Sequence, residues 1–128
     1  MSTVPPKRTR FAGMGASFGY AVRGLRTYLA TQPNARLHLL AAAAVCATGF
    51  WLRVSALEWC VLVGAIGFVW TAEALNTALE FGIDLASPEY HPLAAKAKDV
   101  AAGAVLAASV TAAVIGAIIF GPKLVAAF

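Results

Sequence analysis

The 128-residue chain is 60% hydrophobic and only 12% charged, with a net charge of +4. A soluble domain carries about twice that share of charge, so the composition excludes an ordinary soluble domain and reads as one integral membrane domain over 1–128. The basic residues sit at the ends of apolar blocks, where they act as topology signals, and no nucleic-acid partner is expected.

Residues 1–12 are polar, basic and proline-containing, and are expected to form a disordered tail. No apolar run follows these basic residues closely, so no cleaved signal peptide is apparent. Over 13–31, Phe18, Val22, Leu25 and Leu29 recur at helical spacing, flanked by Arg23 and Arg26. The segment is too polar to span a bilayer and predicts an amphipathic helix lying in the membrane interface. Residues 32–36 (Gln-Pro-Asn-Ala-Arg) read as a turn, with His38 at the entry of an apolar run.

Three spans are predicted, over 37–54, 57–79 and 100–120, giving an all-α membrane protein of one surface helix and three transmembrane helices. Cys46 and Cys60 lie within the first two spans and read as small buried apolar residues, with no CxxC or metal-finger spacing. Residues 84–91 read as a polar loop, and Gly121-Pro122 as the stop of the third span. Gly103 and Ala107, then Ala112 and Gly116, give small-xxx-small spacings suited to close helix packing. Lys7, Arg8, Arg10, Arg23, Arg26 and Arg36 precede the first span, Lys96 and Lys98 precede the third, and Arg53 alone lies between the first and second. The positive-inside rule therefore places the N-terminus and the 84–98 region in the cytoplasm, the protein being multi-pass in the plasma (inner) membrane.

The chemistry concentrates in the stretch 70–99. At about 100° per residue, Glu73, Asn76, Thr77, Glu80 and Asp84 fall on one stripe roughly a third of a helix wide. A stripe of carboxylates and an amide on a membrane helix is costly unless it faces protein, water or metal. Phosphoryl transfer would use it: Glu80 to hold Mg²⁺, Lys98 to meet phosphate, and Glu73, deeper along the face, as base for a lipid hydroxyl. No P-loop and no Gly-rich dinucleotide motif is present. On these residues alone, an ion pathway or a structural hydrogen-bond seam, as in a small channel or ion-binding protein, explains the stripe as well as a kinase does.

The segment Glu-Ala-Leu-Asn-Thr-Ala-Leu-Glu from Glu73, then Asp84, then Glu-Tyr-His-Pro-Leu-Ala-Ala-Lys-Ala-Lys-Asp from Glu89, resembles the signature of the prokaryotic integral-membrane diacylglycerol kinase family. Asn-Ala-Arg-Leu-His-Leu from Asn34 and the Ile-Ile-Phe-Gly-Pro-Lys-Leu ending resemble its undecaprenol kinase branch. The resemblance covers about 17–124.

It implies an ATP- and Mg²⁺-dependent lipid kinase acting on undecaprenol or, alternatively, diacylglycerol, and a homotrimer with shared active sites. It further implies Glu73 as catalytic base and Asn76 as its active-site neighbour. Glu80 is implied as metal ligand, and Glu89, Tyr90, His91, Lys98 and Asp99 as nucleotide contacts. Tyr20, Arg26 and Asn34 are implied to meet nucleotide or lipid. Two positions depart from the family pattern. Gln32 stands where a second metal-ligating glutamate is usual; its amide oxygen can still ligate, with one negative charge fewer. Gly13 stands where a basic residue is usual, with Arg10 one turn earlier.

Overall fold

The computed structural model describes residues 13–128; the predicted tail over 1–12, and Arg10 with it, lies outside the described residues. Four helices follow in order: α1 (Met14–Thr31), α2 (Pro33–Trp51), α3 (Ala56–Ala86) and α4 (Pro92–Ala127). There is no strand among the described residues. α3 and α4 are long and apolar enough to cross a membrane. α2, with Pro33, Asn34, Arg36 and His38 in its first turns, is not among such helices.

Local chemistry sets each boundary. The interval 32–36 is not an extended turn. α1 ends at Gln32 and α2 starts at once, with Pro33 in its first turn, where the missing N–H would have no partner anyway. Arg36 then reaches back: its Nε donates to the Leu29 carbonyl at 3.2 Å and its Nη2 to the Ala30 carbonyl at 3.1 Å. A cation on the terminal carbonyls of α1 complements that helix end and fixes α1 against α2.

α2 ends in a Schellman arrangement. The Val54 N–H bonds the Gly49 carbonyl and the Arg53 N–H bonds the Phe50 carbonyl. Arg53 fills the left-handed position at φ 52°, where glycine is usual. α3 opens on a capping box: Ser55 Oγ accepts from the Glu58 N–H, and Glu58 Oε2 accepts from the Ser55 N–H.

Two predicted ends move outward. α3 continues past 79 through Asp84 to Ala86, because Leu79, Phe81, Ile83 and Leu85 keep it apolar beside the polar stripe. Asp84 is therefore in the last helical turns and the loop shrinks to 87–91. α4 does not stop at Gly121-Pro122: Pro122 sits inside the helix, which runs on to Ala127. An interior proline forfeits one backbone bond and costs about 3 kcal/mol. The next residue is Lys123, whose Nζ meets Glu58 Oε2 at 3.2 Å, tying the end of α4 to the capping box.

α3 and α4 pack most extensively. Val54, Leu62 and Ile119 form a small buried cluster, with Trp59 and Phe120 against it. Ala108 is the buried small residue of α4, while Gly103 and Ala107 of the predicted packing pair are exposed. Cys46 and Cys60 are free; Cys46 is half-buried and Cys60 is exposed on α3, against the expectation of burial. Large apolar side chains such as Leu57, Leu106 and Ile118 are more than 60% exposed. Apolar surface on this scale needs lipid or another chain against it. Phe18 and Leu25 of α1 are likewise exposed.

Candidate functional site

Glu73, Asn76, Thr77, Glu80 and Asp84 share one side of α3 over about 16 Å of its axis, buried at the first end and exposed at the last. Glu73 and Thr77 are buried, at 6% and 5% exposure. Asn76 and Glu80 are half-buried and Asp84 is exposed. The stripe therefore runs from the protein interior to an accessible end.

At the buried end, His38 Nε2 lies 2.8 Å from Glu73 Oε1. His38 comes from the second turn of α2, so the pair joins two helices. A buried carboxylate without a partner is strongly disfavoured, and this contact is what lets Glu73 sit in the interior. Tyr28 of α1 and Trp70 of α3 stand next to it, ring edge to ring face at 5.9 Å. Burial, and then the Glu73 charge, push the Tyr28 phenol above its usual 10.0, so it remains a neutral O–H. The Tyr28 hydroxyl and the Trp70 Nε1–H are buried with no hydrogen-bond partner. Buried orphan polar groups are rare; two beside one carboxylate suit a site whose remaining partner is a ligand.

An apolar cavity of about 280 Å³ begins at His38 and Trp70 and runs between α2, α3 and α4 to Leu62 and Phe120. Its walls mix small residues such as Ala41, Ala112 and Gly116 with the larger Val45, Ile66 and Val69. In the middle of the stripe, Asn76 Nδ2 donates to Glu80 Oε1 at 3.2 Å, and Asn76 Oδ1 is buried without a partner.

At the accessible end, Asp84, Glu89, Tyr90, His91 and Lys98 line a second cavity of about 220 Å³ between the end of α3, the 87–91 loop and the start of α4. Ser87 Oγ donates to the Glu89 carbonyl at 3.0 Å, tightening the loop. His91 caps α4: its Nδ1 accepts from the Leu93 N–H at 3.1 Å. A neutral His91 then carries its proton on Nε2. Lys98 Nζ donates to Asp84 Oδ1. The long helix α4 starts here and turns the positive end of its dipole toward the cavity, beside Lys98.

The remaining sequence-predicted residues are placed less centrally. Asp99 is exposed and does not line the loop cavity. Tyr20 and Arg26 are exposed on α1, with the Arg23 guanidinium 5.4 Å from the Tyr20 ring centre. Asn34 is exposed in the first turn of α2. Gln32, between α1 and α2, donates through Nε2 to Thr31 Oγ1 at 3.4 Å.

Among the described residues, no three His, Cys, Asp or Glu side chains converge as a metal cage. Mg²⁺ does not require one, since it is commonly held by one or two carboxylates with substrate phosphates and water. Glu80, with the orphaned Asn76 Oδ1 beside it, suits that mode. Sequence reasoning missed His38, Tyr28 and Trp70. The only signal for His38 was its place at the mouth of a span, where interfacial packing explains a histidine equally well.

The family model described as prokaryotic diacylglycerol kinase matches residues 19–120. The chain is 44% identical over 108 residues to the undecaprenol kinase of Bacillus subtilis, covering 84% of this chain and 88% of that protein. It is 41% identical over 109 residues to a diacylglycerol kinase of Synechocystis, covering 84% of this chain and 62% of that one. It is 31% identical over 106 residues to the diacylglycerol kinase of Escherichia coli K12, covering 83% and 87%.

Proposed function

The chain belongs to the prokaryotic diacylglycerol kinase family, and on that premise we propose that it transfers the γ-phosphoryl group of ATP to the hydroxyl of an isoprenoid alcohol such as undecaprenol. The observation that carries this reading is the single stripe on α3. It sets a buried carboxylate, Glu73, against His38 of the apolar cavity, and leads outward to Asp84, which with Lys98 lines the cavity at the start of α4.

Glu73 takes the proton of the lipid hydroxyl as its oxygen attacks the γ-phosphorus. The bond to the departing ADP oxygen breaks, and the products are the lipid phosphate and ADP. Lys98 leaves Asp84 to meet the phosphates. Glu89, Tyr90 and the His91 Nε2–H contact the nucleotide from the loop, Asp99 supports this end, and Tyr20 and Arg26 approach from α1. Glu80, with Gln32, holds Mg²⁺, which when bound neutralises phosphate charge. Asn76 orients Glu80. Asn34 meets the lipid headgroup.

The choice of acceptor rests on the cavity. A single apolar cavity of about 280 Å³ between three helices suits one linear prenyl chain better than two acyl chains. The undecaprenol kinase of B. subtilis, at 44% identity, favours the same choice. Diacylglycerol remains the second reading, because the other relatives are diacylglycerol kinases.

In the membrane, α2 makes the first crossing, so that the N-terminus and the 87–91 loop share the cytoplasmic face. Exposed apolar surface on α3 and α4 is covered by lipid and by two further copies in a homotrimer. Cysteine labelling at Ser87 from each side tests the orientation; labelling only from outside contradicts it. Purified protein, given ATP radiolabelled in its γ-phosphate and an equal amount of each lipid alcohol, tests the function. Label appears chiefly in undecaprenyl phosphate on this account. Label chiefly in phosphatidic acid selects the second reading, and label in neither overturns the kinase assignment.

A further inference from the structure

We infer that His38 is the positioning residue of Glu73: it holds one oxygen of the carboxylate so that the other is aimed at the acceptor hydroxyl. The inference rests on the reading of Glu73 as the base and goes beyond it, because it assigns a second residue, on a different helix, to the same proton transfer.

The contact is short, 2.8 Å, and specific to one oxygen, Oε1. An ionised carboxylate only accepts hydrogen bonds, so the proton between them belongs to His38 Nε2. The two residues are 35 positions apart, so no helical neighbour relation forces them together. Burial is unequal: the Glu73 side chain is 8% exposed and that of His38 23%. Glu73 is therefore the enclosed partner, and no other hydrogen bond to its side chain exists among the described residues.

A glutamate has three rotatable side-chain bonds. In a cavity open toward lipid, one free rotamer is enough to turn the basic oxygen away from its target. Binding Oε1 removes that freedom. The hydrogen bond engages Oε1 alone, and close by the Tyr28 O–H and the Trp70 N–H are buried without partners. His38 and Trp70 also line the apolar cavity, so a lipid chain held in it with its hydroxyl at their end meets this pair.

A purely structural bond between α2 and α3 makes different predictions. A positioning role acts on the chemical step, so His38→Ala lowers kcat about 10- to 100-fold, the usual cost of losing a group that orients a site residue, while KM for ATP stays the same. In a Glu73→Gln background the same change lowers turnover no further. His38→Gln, which places an N–H near the former Nε2, recovers turnover to within about threefold of wild type. His38→Asn, whose N–H falls short, does not.

The test is steady-state kinetics on the purified wild type and these variants in mixed micelles. It is paired with nitrogen NMR shifts of the His38 ring in the wild type and in Glu73→Gln, a readout independent of turnover. The expected result is the kcat-only loss, the glutamine rescue and a His38 shift that moves when Glu73 is replaced. Should His38→Ala fail to fold, the glutamine–asparagine comparison decides. Wild-type kcat in His38→Ala, equal turnover in the Gln and Asn variants, or losses that add to those of Glu73→Gln would each overturn the inference. A wild type inert toward every lipid alcohol takes down the kinase reading and this inference with it. An active wild type indifferent to His38 takes down the inference alone.

Discussion

Lys98 Nζ donates to Asp84 Oδ1 across the 87–91 loop, joining the last turns of α3 to the second turn of α4. The pair is partly exposed, at 38% and 63% for the two side chains. Exposed pairs of this kind contribute about 0–1 kcal/mol to stability. Asp84→Asn therefore shifts the thermal midpoint little. Lys98→Ala raises KM for ATP about 10- to 100-fold, the value of a lost charged hydrogen bond of roughly 1.5–3 kcal/mol. Nucleotide titration of the two variants checks both; an unchanged KM in Lys98→Ala removes Lys98 from the phosphate site.

The Gly49 Cα faces Trp59 so closely that an added Cβ would lie 2.7 Å from the indole. The ring cannot retreat freely, since it also packs against Phe50 with ring centres 4.8 Å apart. Gly49→Ala is expected to cost about 1–3 kcal/mol through overpacking. Thermal unfolding in detergent measures it, and an unshifted midpoint shows that the α2–α3 corner yields.

Arg53 occupies the left-handed position of the Schellman turn at φ 52°. A side chain there costs roughly 1 kcal/mol, so Arg53→Gly stabilises the protein by up to about that amount. A lower midpoint in the same experiment shows that the guanidinium contributes more than the backbone loses.

Much of the fold is legible in the sequence because apolar blocks and helical spacing report directly on burial in lipid. The stripe on α3 is legible for the same reason: Glu73 through Asp84 obey one local period. The helix ends are less so. The polar stripe reads as an exit from the membrane near 79, yet the helix continues to Ala86 because side-chain polarity on one face does not break backbone bonds. Pro122 reads as a stop, and α4 absorbs its cost and runs on. The His38–Glu73 contact and the Tyr28–Trp70 pair are not legible, because each joins helices distant in sequence and no period connects them.

Gln32 stands where the resemblance to the family implies a metal-ligating glutamate. Mg²⁺ prefers hard anionic oxygen, so Gln32→Glu lowers the Mg²⁺ needed for half-saturation at fixed total ATP, without altering lipid preference. Superimposable metal curves for the two proteins remove Gln32 from the site and leave Glu80 as its protein carboxylate.

Glu73→Gln tests most directly whether Glu73 is the base for a lipid hydroxyl, because it exchanges one carboxylate oxygen for an amide nitrogen. The measurement is phosphoryl transfer from radiolabelled ATP to undecaprenol by the purified variant, with ATP binding followed on the same sample. Loss of general-base help lowers turnover about 10²- to 10⁴-fold, while ATP affinity is retained because the nucleotide residues lie at the far end of the stripe. Near-normal turnover in Glu73→Gln, with ATP bound as in the wild type, contradicts the account.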